Sequence, residues 1–197
     1  MNTAQPIRNE KDLTCFREYY RKEKPDSRNY LMIAVGLNTA LRISDILEMC
    51  WGDVYDFERR RYKTHLFLIE KKTGKKSLVL LNGNIREALI GQAEELRRRD
   101  RRLEAGDWIF ENEKKPGNPI SRVQAFRIVK KAARGCGLEG VISCHSLRKT
   151  FGYHAWKQGA EPALLMNIFN HSSYINTVRY LGIEQDDRDR IFRNIYR

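Results

Sequence analysis

Apolar positions along this chain keep a helical period for most of its length and break it once. Residues 12–22 read as an amphipathic helix, Asp26 or Ser27 can cap a second that runs through Thr39, and residues 43–50 continue as a third. Then the period shortens. Residues 65–70 (HLFLIE) and 77–81 (SLVLL) are brief, apolar and rich in β-formers, with KKTGKK between them. With Gly74 to turn the chain, this predicts a hairpin with lysines at its tip. Downstream, residues 84–102 predict a long charged helix, 108–110 a short extended piece and 114–119 a loop. Ser121 caps a helix to about residue 134, which Gly135 and Gly137 end; residues 146–157 form another, and Pro162 opens one that reaches Phe169. Helices from Ser173 and over residues 188–196 complete the series. No internal repeat or low-complexity linker interrupts it. The expected architecture is mainly α with a small antiparallel β-sheet (α+β), in one domain.

The stretch HSSYINTVRY, residues 171–180, holds two tyrosines in different settings. On a wheel of roughly 100° per residue, Tyr174, Ile175, Val178 and Leu181 share one stripe, and Tyr180 falls roughly 150° from its centre. Tyr174 then reads as a packing residue. Tyr180 is either idle on the surface or placed in a cleft, and the wheel does not choose.

Charge changes the picture. The 197 residues carry 37 Lys and Arg against 25 Asp and Glu, a formal charge of +12. Basic runs recur at residues 59–61, 71–72, 75–76, 97–99, 101–102 and 130–131. Each alone reads as a solvated face, but their sum, with a pI near 9.7, favours a polyanionic partner, nucleic acid first. No apolar run reaches membrane-spanning length and no signal peptide opens the chain, so a cytoplasmic protein is expected. Zinc spacings, a P-loop and GxGxxG are absent, and no cofactor or metal is expected. The four cysteines show no CxxC spacing and are expected to be free, reduced thiols.

Several residues could carry chemistry. Arg42 sits among Leu41, Ile43, Ile46 and Leu47, and Asp45, three residues on, can hold its guanidinium for bidentate phosphate recognition. Lys72 lies at the hairpin tip, where a lysine is usually just solvated. His145 and Arg148 (HSLR) share a face near a helix start, a place that favours anions. Asn170 tolerates the left-handed conformation that ends a helix, which puts His171 at a corner. Each is weak alone.

Their order and spacing together resemble the tyrosine recombinases of the phage integrase family. ALRISDILEMCWGDV is similar to the family's first arginine motif, and EKKTGKKSLVLL to its lysine hairpin. DWIF followed by NPISRVQAFRIVKKAARGCGL matches its middle helices, and residues 145–181 match its second arginine box through to the nucleophile. The resemblance covers about residues 6–190. It implies catalytic roles for Arg42, Lys72, His145, Arg148, His171 and Tyr180, with Asp45 in support. Lys72 is assigned over Lys71 and Lys75 by aligning KTG. Ala40 and Asn170 depart from the family, which usually has Gly at both places. The family also usually carries a separate N-terminal DNA-gripping domain, and this chain resembles either a short form lacking it or a longer protein trimmed to its catalytic domain. Residues 1–197 are then one catalytic domain, with 1–8 an N-terminal extension and 184–197 a tail helix able to dock on another subunit.

The activity so implied is site-specific recombination of double-stranded DNA, on which the protein self-associates, as a tetrameric synapse. Tyr180 would attack a phosphodiester to give a 3′-phosphotyrosine and a free 5′-hydroxyl. Arg42 and Arg148 would clamp the non-bridging oxygens, Lys72 would protonate the leaving oxygen, His145 would accept the Tyr180 proton, and His171 would hydrogen-bond the phosphate. The phosphotyrosine conserves the bond energy, so neither metal nor ATP is required. Type IB topoisomerase-like cleavage and a non-catalytic DNA-binding module of the same fold are the alternatives.

Overall fold

The computed structural model describes residues 4–171, 173–181 and 192, with positions 174 and 179 as backbone only. Nine helices and four short strands occur among the described residues. Asn9 caps α1 (Glu10–Lys22), its side chain accepting from the Lys11 and Asp12 amides at 2.8 and 3.2 Å. Asp26 caps α2 (Ser27–Asn38) through the Asn29 amide at 2.9 Å. α2 is the central helix, buried continuously from Leu31 to Gly36. It packs against α1, against α5 (Gly83–Arg98) and against α7 (Cys144–Lys157). Close approach to α7 needs Gly36: a Cβ there would lie 2.6 Å from Leu147 Cδ1.

The helix expected over residues 43–50 stops early, as α3 (Ile43–Leu47), and a separate short helix, α4 (Trp51–Val54), begins beyond it. The break has a backbone cause. Residues near 108 run alongside the gap: the Ile109 amide donates to the Met49 carbonyl at 3.0 Å and the Trp51 amide to the Asp107 carbonyl at 2.9 Å. These groups bond to another segment instead of continuing the helix. β1 (Tyr55–Asp56) pairs antiparallel with β2 (Arg61–Tyr62), a small ribbon that periodicity did not reveal. β3 (His65–Ile69) and β4 (Lys76–Leu80) form the expected hairpin, with Phe67 opposite Leu78. One hairpin face turns inward through Leu66; Phe67, Ile69, Leu78 and Leu80 are exposed on the other.

α6 (Arg122–Gly135) starts in a capping box of Ser121 and Gln124. α8 (Pro162–Ile168) has Pro at its first position, and α9 (Tyr174–Leu181) follows. The mainly helical, small-sheet expectation holds. Two details do not. α1 and α6 pack side by side and bring Cys15 to Cys136, Cα–Cα 5.9 Å, in a disulfide; only Cys50 and Cys144 are free. A pairing across 121 positions leaves no trace in local spacing. The stripe assigned to α9 is also rotated. Ile175 is 65% exposed, while Thr177 is fully buried with Leu181.

Apolar burial falls into two clusters. The large one includes Phe16, Leu31, Trp51, Leu89 and Phe110. The small one has Ala40, Leu165, Phe169 and Leu181, with Phe151, Trp156 and Tyr180 at its margin. Near the N-terminus, the Gln5 amide donates to the Val141 carbonyl at 3.0 Å and buried Ile7 donates to Thr150 Oγ1 at 2.9 Å. The packing of Tyr174 and the tail helix over 184–197, apart from Phe192, lie outside the described residues and side chains. No described helix is long and apolar enough to cross a membrane.

Candidate active site

Arg42 is the extended N-cap residue of α3, φ −76° and ψ 149°. From there its side chain reaches the end of β3, where Nη1 forms an ion pair with the Glu70 carboxylate. The expected partner, Asp45, plays another part. It accepts from the Lys71 amide at 3.1 Å, and its second oxygen is buried without a hydrogen-bond partner. The physical reason is that the cap residue lies outside the helical dihedrals, so the i, i+3 relation on a helix face does not apply.

Glu70 has a side chain only 3% exposed. One oxygen accepts from Ser77 Oγ at 2.9 Å and from Asn170 Nδ2; the other accepts from Thr73 Oγ1 at 3.0 Å and from Arg42 Nη1. Burial pushes its pKa up, but the donors Ser77, Thr73, Arg42 and Asn170 outweigh burial and hold it below the ordinary carboxylate value.

Arg148 rises from the second turn of α7 and is 4% exposed. Nη2 donates to the Phe169 carbonyl at 2.7 Å, and the guanidinium lies 4.6 Å over the Phe169 ring. Burial lowers its pKa; Tyr180 opposes this and Arg42 adds to it. Asn170 takes φ +53°, the left-handed corner expected of it, and Ala40 is not in that region. The corner delivers His171, whose ring stacks on Phe169 at 5.3 Å and whose Nδ1 lies 3.1 Å from Thr177 Oγ1.

Tyr180 is half-buried, not idle. Its ring meets His171 at 5.0 Å and Phe169 at 5.5 Å. Burial raises its pKa; the charge of Arg148, a hydrogen bond with that guanidinium, and Arg42 draw it back. The phenol is therefore protonated in the free protein, beside two cations placed to stabilise its anion.

His145 is the second residue of α7 and stands exposed on the rim, its amide donating to Ser143 Oγ at 3.3 Å. Crowding by protein, then Arg148, Lys149, Lys72 and Arg42, lower its pKa, so the neutral imidazole is favoured. His171 is shifted the same way by burial, Arg148 and Arg42. Among the hairpin lysines, Lys71 is paired with Glu48, whereas exposed Lys72 is near enough for His145 to feel its charge. The structure thus gathers Arg42, Lys72, His145, Arg148, His171 and Tyr180 at one place.

Two further residues belong to the site. Lys149 sets its ammonium 5.0 Å from the Tyr180 ring centroid. Glu70 had a readable signal: alternation from Leu66 puts it on the inward face of β3. A carboxylate on that face needs buried donors.

Residues 9–186 match the model of the phage integrase family. The chain belongs to that family. It is 36% identical over 186 residues to a probable integrase/recombinase, YoeC, of Bacillus subtilis, with 94% of this chain and 93% of the relative covered. It is 28% identical over 154 residues to the type 1 fimbriae regulatory protein FimE of Escherichia coli K12, covering 78% of this chain and 74% of FimE. Against the tyrosine recombinase XerD of Corynebacterium glutamicum it is 27% identical and spans 53% of that longer protein. The fold is shared with XerA recombinase, TM-score 0.75 at 16% identity over 98% of this chain and 65% of that one. It is also shared with the XerH site-specific recombinase in a post-cleavage complex with a palindromic difH substrate, TM-score 0.74 at 20% identity over 96% of this chain and 53% of that one.

Proposed function

We propose that this chain is a site-specific DNA recombinase that cuts and rejoins strands through a 3′-phosphotyrosine on Tyr180. One observation carries this: the buried Arg148 guanidinium lies over the Phe169 ring that Tyr180 packs against, and both Arg148 and Arg42 stand close enough for their charges to act on the phenol. Two guanidiniums beside a phenol fit an in-line attack on a phosphodiester, where charge builds on the non-bridging oxygens as the phenol loses its proton. Arg42 and Arg148 bind those oxygens. Lys72, on the exposed turn, protonates the leaving 5′-oxygen. The neutral imidazoles complete the proton path. His145 accepts the Tyr180 proton, and His171, its ring centroid 5.0 Å from that of the phenol, hydrogen-bonds the phosphate. Asp45 braces the hairpin end through Lys71. Rejoining reverses the steps with a new 5′-hydroxyl as nucleophile.

Exchange between two duplexes needs four strand cuts, and each copy supplies one tyrosine, so four copies assemble on paired sites. The +12 charge supports affinity for the backbone. Covalent capture tests the proposal. Incubated with a library of nicked duplexes carrying randomised arms, the full chain forms a protein–DNA adduct that survives a denaturing gel, and Tyr180→Phe forms none. DNA binding without an adduct would leave a binding module of the same fold.

A further inference from the structure

We infer that Glu70 is a positioning residue of strand cleavage: its carboxylate holds Arg42 toward the phosphate and ties the Lys72 turn to the His171 corner. This rests on the recombinase reading of the site. Four side chains from three separated segments converge on the one carboxylate. Arg42 comes from the start of α3. Thr73 and Ser77 come from the hairpin, and Thr73 directly follows Lys72. Asn170 comes from the corner that directly precedes His171. The main chain of Glu70 closes the same turn: its amide donates to the Lys75 carbonyl at 2.9 Å, and its carbonyl accepts from the Gly74 amide at 2.8 Å.

Placement and charge both matter here. Arg42 spends one of five N–H donors on Glu70, which leaves the others for an oxyanion and restrains the swing of the side chain. Arg42 also stands close enough to Arg148 for their charges to oppose each other. A buried anion between the hairpin and the α8–α9 corner offsets that repulsion before a phosphate arrives. Glu70 is shielded from solvent, so it steers Arg42 without presenting a negative face to DNA.

The experiment uses the full chain and a nicked duplex selected from the covalent-capture library. Wild-type adduct formation, lost in Tyr180→Phe, is the control; its absence overturns the recombinase reading and the role of Glu70 with it. Given that control, Glu70→Gln slows single-turnover adduct formation about 10- to 100-fold at saturating DNA. Affinity, measured in a Tyr180→Phe background, stays within about threefold, because DNA meets many other cations. On an Arg42→Ala background, Glu70→Gln adds about twofold or less, because the two act as a unit. Asn170→Gly keeps the left-handed corner, removes one donor, and slows cleavage about 3- to 10-fold even if Glu70→Gln fails to fold. In the DNA-free chain, guanidinium NMR reads the contact separately: rotation of the Arg42 Nη groups is hindered in wild type and released in Glu70→Gln. Wild-type cleavage by both variants, a fall in affinity matching the fall in rate, full additivity with Arg42→Ala, or unhindered Arg42 in wild type would each overturn the inference.

Discussion

The larger apolar cluster, with Phe16, Leu31, Trp51 and Phe110, carries α3 and the hairpin, and so Arg42, Glu70 and Lys72. The smaller, with Ala40, Leu165, Phe169 and Leu181, carries His171 and Tyr180. α7 is the boundary between them: Leu147 belongs to the first, Phe151 packs on the second, and Arg148 stands between. The groups assigned to grip the phosphate thus rest on an extensive core, while among the described residues the group assigned to attack it rests on four buried apolar side chains. Local opening free energy follows the amount of buried apolar contact, so the nucleophile's segment has the lower threshold for rearrangement. The two functions can then be damaged separately.

The largest separation comes from the disulfide, which ties α1 to α6 within the larger cluster. Cys15→Ser opens a loop of 121 positions and lowers global stability by about 4–5 kcal/mol on the chain-entropy account. Thermal melts with and without reductant measure this: wild type shifts on reduction and the variant does not.

Two glycines sharpen the comparison next. At Gly152 a new Cβ would run into Leu181 Cδ2 and lie 2.5 Å from Phe169 Cζ; at Gly36 it would lie 2.6 Å from Leu147 Cδ1. Each alanine costs about 1–3 kcal/mol of overpacking. Gly36→Ala lowers the global melting midpoint. Gly152→Ala displaces α9, so adduct formation falls tenfold or more while the main melting transition moves little. Equal loss of both properties in both variants would refute the division.

A smaller effect is expected from Lys149→Met, which removes the ammonium over the Tyr180 ring at a loss of about 0.5–2 kcal/mol, read as slower adduct formation with unchanged melting. The mildest test is pH. His145 and His171 have pKa values below the ordinary imidazole value of about 6.5. The fold prefers them neutral. Their contribution to stability is complete above about pH 6.5 and is lost as pH falls through their lowered folded values, where the unfolded chain binds more protons. Cleavage keeps its rate down to the same region and then declines. His171→Gln, followed by pH-resolved single-turnover kinetics, removes part of that acid limb.

Much of this was legible in the chain itself. The hairpin showed as a change of period, and the Asn170 corner as a residue type suited to positive φ. The six site residues were named together only through the resemblance of their motifs to the family's, since each alone was ordinary. What escaped was mostly long-range. Glu70 pairs with Arg42 across 28 positions and with Asn170 across 100, while Asp45, the nearer carboxylate, drew the assignment. On α9 the apolar wheel misled because a threonine fills the inward face. Thr177 can be fully buried because its hydroxyl donates to the Ser173 carbonyl at 3.2 Å and lies beside the His171 ring, needs that hydropathy does not register.

The two arginines differ in how their anchors are inherited. Arg148 is tethered to the carbonyl of Phe169, a main-chain atom that every amino acid supplies. No single codon change at 169 deletes it, and only a shift of the corner can. Arg42 is tethered to a side chain, so one nucleotide change can release it. Under random mutation, the first guanidinium is the site's fragile hold and the second its durable one.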